Sequence, residues 1–225
     1  ALLVAVAAVV SGCGKSESTA ESASAQVPEP AKAAAVPPPP PVPTKWDGPF
    51  GLAEGLTVEQ LEKAGISLKA RDTGIYSSST APSPNSKFET YTYIISDKTG
   101  LCKVAGIGRD IEANSFGAQV QDVFDELETA LTAKYGKPGH TNKFVLAGSI
   151  WKESKYWMMG LSKEERHHSV TWLNGQKGVS LPSLESISLK AGASDIATGY
   201  VTLNYEFQNV SVCLAAIKAK SNDSL

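Results

Sequence analysis

Apolar residues recur at helical spacing in the middle of the chain. The set comprises Phe116, Val120, Val123, Phe124, Leu127, Leu131 and Tyr135. This period of three to four residues predicts an amphipathic helix, which Asn114 or Ser115 can cap and which Gly136 ends. A shorter helix is predicted after Thr57, because Thr57 and Gln60 have the spacing of a capping box.

Alternating apolar and polar residues predict the strands of an antiparallel sheet. Residues 88–96 place Tyr91, Tyr93 and Ile95 on one face, and a turn at residues 97–100 lets residues 101–111 pair back. Further strands are predicted at residues 66–71, 169–173, 184–191 and 200–207, a loop at residues 77–86, and helices at residues 153–161 and 210–217. A helix followed by strands, twice over, predicts an α+β fold: an antiparallel sheet with helices packed on one face, in a tandem helix-then-strands arrangement.

An unbroken apolar run opens the chain, from Ala1 to Val10. As a helix this run rises roughly 15 Å, about half of a bilayer core, so it is too short to span a membrane. It fits the hydrophobic region of a secretory signal. The initiator methionine and a basic segment do not precede it, so we interpret residues 1–12 as the remainder of a signal peptide.

The next residues, Val10-Ser11-Gly12-Cys13, resemble the lipobox of bacterial lipoproteins. The resemblance implies that the signal is removed before Cys13, that Cys13 carries a thioether-linked diacylglycerol, and that the new amino end receives a further acyl chain such as palmitate. Two or three acyl chains give lasting attachment to a lipid bilayer. The alternatives are a transmembrane anchor or an ordinary free cysteine. Gly14 follows in place of Asp, which implies the outer membrane, facing the periplasm.

Residues 13–45 form the predicted tether between the lipidated cysteine and a globular domain at residues 46–225. Ala, Ser, Glu and Pro dominate this segment, and residues 37–43 are almost entirely proline. Such a composition cannot bury enough apolar surface to offset the ordering entropy, and the proline block predicts a stiff polyproline II spacer. The alternative is a proline-rich ligand for a partner domain.

Two cysteines remain after the predicted anchor, Cys102 in a predicted strand and Cys213 in the last predicted helix. An exported chain meets an oxidising compartment, where two such residues usually pair, so we predict a Cys102–Cys213 disulfide bond. The alternative is two separately buried thiols.

The chemistry-bearing residues do not form a recognisable catalytic, metal or cofactor site, and we predict none. His167 and His168 follow Glu164; on a strand the two histidines point to opposite faces, and on a helix only Glu164 and His168 face together, short of the three or four ligands that zinc needs. Gly106 and Gly108 predict a bulge or a close backbone approach. Asp110 and Glu112 can form a carboxylate pair, although a solvated strand edge is the ordinary interpretation.

Aromatic and methionine side chains are concentrated in one segment, which contains Trp151, Trp157, Met158 and Met159. Trp and Met are enriched at the centres of protein interfaces, so one hypothesis is a partner-docking patch. The alternative is that these side chains fill the core between helix and sheet.

Net charge excludes one class of partner, because 21 basic and 23 acidic residues give −2, without the basic excess of a nucleic-acid binder. The segment from Phe50 to Leu61 resembles the helix start of small outer-membrane-assembly lipoproteins and of secreted β-lactamase-inhibitor proteins. We therefore expect a membrane-tethered envelope lipoprotein with a non-enzymatic binding domain for an unknown envelope protein or component. The alternatives are an envelope hydrolase or other enzyme with an unrecognised site, and an inhibitor or immunity-type lipoprotein.

Overall fold

One antiparallel sheet organises residues 45–222, the part of the chain that the computed structural model describes. Its strands in that range are β1 (Lys69–Asp72), β2 (Ile75–Ser78), β3 (Phe88–Ser96), β4 (Gly100–Gly108), β5 (Ile111–Glu112), β6 (His140–Val145), β7 (Arg166–Leu173), β8 (Leu184–Ala193) and β9 (Thr198–Phe207). The helices are α1 (Val58–Lys63), α2 (Ala118–Tyr135), α3 (Trp157–Ser162) and α4 (Val210–Asn222), and short 3₁₀ turns lie at Pro49–Gly51 and Ser154–Tyr156.

The sheet consists of two antiparallel meanders joined in the middle. The strand order is β1-β2-β3-β4-β9-β8-β7-β6, so β4 of the first meander pairs with β9 of the second, and β5 adds to β9. Helix α1 precedes the first meander and α2 precedes the second. The predicted α+β class with an antiparallel sheet is confirmed.

Helices α1, α2 and α3 contribute side chains to the core on one face of this sheet. Helix α2 packs on β8 and β9, α3 on β7 and β8, and α4 on β3 and β4. The alternation of β9 shows how the sequence sets this layer, because its buried residues are Val201, Leu203, Tyr205 and Phe207, every second position. The hydrophobic core lies between these side chains and the helices.

Helix ends follow the local chemistry, with one departure from prediction. The capping box at Thr57 is present: the Thr57 hydroxyl accepts from the Gln60 N–H, and the Gln60 side chain accepts from the Thr57 N–H. Helix α2 begins after Gly117, whose φ of 67° lies in the left-handed region, while the predicted cap Asn114 accepts from the Ala118 N–H at 3.5 Å. A Cβ at this glycine would meet the Trp157 ring, so the close approach requires glycine. Phe116, predicted inside the helix, precedes it and is 51% exposed.

Strands β2 and β6 were not predicted, and the strand predicted at residues 101–111 divides into β4 and β5. The segment predicted as a loop from residue 77 still belongs to β2 up to Ser78. Strand β6 lies at the sheet edge, and its first five residues are all exposed, so it has no buried face to produce apolar alternation. Both strands are held by their neighbours rather than by a pattern of their own.

The predicted disulfide bond joins Cys102 of β4 to Cys213 of α4, with an S–S distance of 2.03 Å. Both cysteines are fully buried. The bond fixes the last helix to the central part of the sheet across 111 residues of sequence. The predicted signal remnant, Cys13 and the tether up to residue 44 lie outside the described residues.

Candidate functional site

The face of the sheet opposite α2 and α3 is called the open face. Strand β9 contributes Tyr200, Thr202, Asn204 and Glu206 to this face, the partners in alternation of its buried residues. The register therefore gives one strand two surfaces of different chemistry.

A row of mostly small polar residues crosses the open face from edge to edge. Strand register pairs each member with the next, from β6 to β1: His140, Thr171, Ser188, Asn204, Ala105, Thr92, Ser77 and Lys69. Larger side chains, among them Ile94, Ile107 and Tyr200, lie on the rows at either side. The open face is therefore uneven, and it contains two depressions that meet along β9.

The first depression lies over β3, β4 and β9 and has a volume of about 370 Å³. The charge of Lys103 in this depression is paired with Glu206, because Lys103 Nζ lies 2.9 Å from Glu206 Oε1. The Ser186 hydroxyl also donates to Glu206 Oε2 at 2.9 Å. Burial raises the pKa of Glu206, but the hydrogen bonds from Lys103 and Ser186 outweigh it, so the net pKa is below its usual value. This depression presents Ile94, Ile107 and hydroxyl groups to a partner, and its lysine charge is already paired.

The second depression lies beside α3, where β7 and β8 stop pairing, and has a volume of about 410 Å³. Its lining includes Arg166, Lys190, Tyr200, Thr202 and Asn204. The Tyr200 ring lies on Gly192, where a Cβ would approach the ring to 2.7 Å, so glycine allows this ring position. The two depressions share Tyr200, Thr202 and Asn204, and β9 therefore forms the ridge between them.

The adjacent histidines lie on opposite faces of β7, as the strand geometry predicts. The His167 ring contacts Phe144 at a centroid distance of 4.8 Å on the open face. His168 is buried against Phe124 and Trp157, at 4.4 and 5.6 Å. Burial, followed by the charge of Lys143, lowers the pKa of His168 to about 4, so this side chain is neutral at pH 7.

The segment proposed as a docking patch divides between core and surface. Trp157 is 6% exposed and Met158 is 0% exposed. Trp157 packs over Gly117, and Met158 lies beside Gly199 of β9. These two side chains therefore pack in the core, the alternative stated for this segment, because α3 turns them toward the sheet. Trp151 and Met159 remain partly exposed.

Gly106 provides the close approach that the sequence predicted. A Cβ at this position would lie 2.9 Å from atoms of the Phe50 and Phe88 rings. Asp110 precedes the short strand β5 and Glu112 ends it, and both residues are exposed.

Sequence reasoning did not identify the open face as the site, although the alternation on β9 was visible. The apolar positions of residues 200–207 identified the buried side. The intervening Thr, Asn and Tyr residues have the composition of an ordinary solvent-exposed strand face. Only the strand order brings them next to residues of β3, β4 and β8, far away in sequence.

Among residues 45–222, no helix is both long and apolar enough to cross a bilayer. In the same range no three His, Cys, Asp or Glu side chains are grouped to hold a metal ion. Comparison of the chain with known protein families, with curated proteins and with solved structures found no match.

Proposed function

We propose that this protein is a lipid-anchored envelope protein, attached through acylated Cys13, whose globular domain binds another envelope protein through the open face of the sheet. The lipobox resemblance at residues 10–13 supports the anchor. The open face supports the binding role, and it is the single observation on which that role depends.

The size of the open face suits a protein partner. Eight strands at spacings of about 4.8 Å span about 34 Å, and eight residues along a strand span about 26 Å. The resulting area of roughly 900 Å² is comparable to the ~800 Å² that each partner contributes to a standard interface.

The chemistry of the open face also suits a protein partner. Ile94, Ile107 and Tyr200 supply apolar and aromatic surface near its centre. Thr202 and Asn204 lie between the two depressions, and their side chains make no hydrogen bond to another described residue. An apolar centre with available hydrogen-bonding groups is typical of protein interfaces.

The test is capture of the partner from solubilised envelope by chains that differ at one position. Thr202→Arg places a long charged side chain on the ridge of the open face and should abolish capture. Thr129→Arg makes the same change at an exposed position of α2 and should leave capture unchanged. Both variants should keep the melting temperature of the native chain, which shows that lost capture is not lost folding.

Cys13→Ser separates the anchor from the binding role. This variant should leave the membrane fraction, lack the added lipid mass, and still bind the partner identified above. Equal capture by Thr202→Arg and Thr129→Arg would contradict the binding surface, whereas an unmodified Cys13 in the native chain would contradict the anchor alone.

A further inference from the structure

The second depression of the open face contains hydrogen-bonding and cationic groups that the fold does not use. No ion pair or hydrogen bond joins the side chain of Lys190, Tyr200, Thr202 or Asn204 to another residue in the range 45–222. Register places Lys190 directly opposite Thr202, and Tyr200 directly opposite Gly192, so these groups occupy neighbouring positions on β8 and β9. They therefore line one concave surface rather than separate parts of the sheet.

Arg166 adds a second cation at the border of the same depression, on the side of α3, because it lies on the same face of β7 as His168 and contacts Gly160. Its Nη2 donates to the backbone carbonyls of Trp151 and Lys152, at 3.1 and 3.2 Å, which holds the guanidinium in place. Its Nε is buried without a hydrogen-bond partner among the described residues. Burial lowers the pKa of Arg166, and no described carboxylate lies within ion-pair distance to offset that cost. A partly buried, unpaired cation is an unfavourable arrangement that a bound anion would relieve.

The first depression provides an internal contrast. There the lysine of the sheet, Lys103, is neutralised by Glu206, which also accepts from Ser186. Across β9 the corresponding cations, Lys190 and Arg166, have no such carboxylate. Glu164 is the acidic residue that borders this depression, and it forms no ion pair within the described range.

We infer that the second depression binds an oxyanion, a phosphate or carboxylate group of a small ligand, with Lys190 and Arg166 supplying the charge and Tyr200, Thr202 and Asn204 the hydrogen bonds. The volume of about 410 Å³ lies in the range of small-molecule sites, about 300–1,000 Å³, so the ligand extends beyond the anionic group. This inference goes beyond a protein partner, because it concerns a ligand that needs only one end of the open face.

The test uses the full chain in detergent micelles, titrated with inorganic phosphate and separately with acetate, at constant ionic strength set with chloride. Binding is followed by the amide chemical shifts of β8 and β9. Phosphate should bind saturably, Lys190→Ala should weaken it about tenfold, and Tyr200→Phe should weaken it about threefold, since charge-assisted hydrogen bonds are stronger than neutral ones. Lys69→Ala, the same change on the open face of β1, should leave the affinity unchanged.

The two probes distinguish the source of the oxyanion. Binding of phosphate alone supports a phosphate-ester ligand, and binding of acetate as well supports a carboxylate ligand. Equal loss in Lys190→Ala and Lys69→Ala, or no saturable shift with either probe, overturns the inference. No protein partner is present in this experiment, so its failure leaves the proposed partner-binding role to its own test.

Discussion

The two faces of the sheet differ in chemistry although the same strands build both. On the covered face, β9 contributes Leu203 and Tyr205 to the core, and burial removes them from water. On the open face, the intervening Thr202 and Asn204 stay partly exposed and make no hydrogen bond to another described residue. Core packing on β9 therefore depends on one set of alternate residues, and the other set contributes no side chain to the core.

The largest expected effect concerns the disulfide bond that fixes α4 to β4. Replacing both Cys102 and Cys213 with Ala should lower the free energy of unfolding by up to about 4.7 kcal/mol, the chain-entropy value for a loop of about 100 residues. Urea denaturation of the oxidised protein and of the variant measures the difference. Added reductant should destabilise the native chain and leave the variant unchanged; Cys102 and Cys213 thiols that alkylate before reduction would contradict the pairing.

A neighbouring pair on β9 compares the two faces most directly. Leu203→Ala should lower the free energy of unfolding by about 3 kcal/mol, because it deletes buried methyl groups and leaves a cavity. Thr202→Ala, one residue away on the open face, should change it by less than about 0.5 kcal/mol. Chemical denaturation of the two variants measures both changes. A similar loss of unfolding free energy at both positions would show that the open face is part of the stabilising core.

The buried histidine of the covered face predicts a dependence of stability on pH. The pKa of His168 is about 4 in the folded chain and about 6.5 in an unfolded one. The unfolded chain therefore binds this proton first as the pH falls, so stability is fully present above pH 6.5 and is lost progressively down to about pH 4. At pH 5 the loss from His168 should be about 2 kcal/mol.

Urea denaturation at pH 7.5 and pH 5.0 measures this dependence. His168→Phe, which keeps an aromatic ring against Phe124 and Trp157, should remove that part of the pH-dependent loss. His140→Phe, the same change at an exposed position, should retain it. An unchanged pH dependence in His168→Phe would show that other groups cause it.

The covered face is the part of the fold that sequence reasoning reached. Apolar spacing predicted most of α2, and strict alternation predicted β3 and β9. In each element one side is buried, so apolar residues recur at the period of that element. The capping box at Thr57 and the disulfide bond between Cys102 and Cys213 followed from local chemistry and from the expected compartment.

The rest could not be predicted, because it depends on neighbours distant in sequence. Strand β6 lacks a buried face, and α2 begins only after Gly117 because the Trp157 ring packs against that glycine. Trp157 and Met158 have the composition of an interface, yet the direction of α3 places them in the core. The cluster at Lys190 and Arg166 joins residues from separate strands, so it becomes visible only once the strand order is known.

The aromatic contacts of Phe50 have a mechanical consequence. Its ring meets those of Phe88, Tyr91 and Tyr205 edge-on, at centroid distances of 5.0–5.5 Å, over the space that Gly106 leaves. Tension applied to the backbone at Lys45 would thus reach the central strands through this ring cluster, on the side of the sheet that the helices cover. The opposite side carries none of those contacts, so substitutions there would leave this mechanical connection intact.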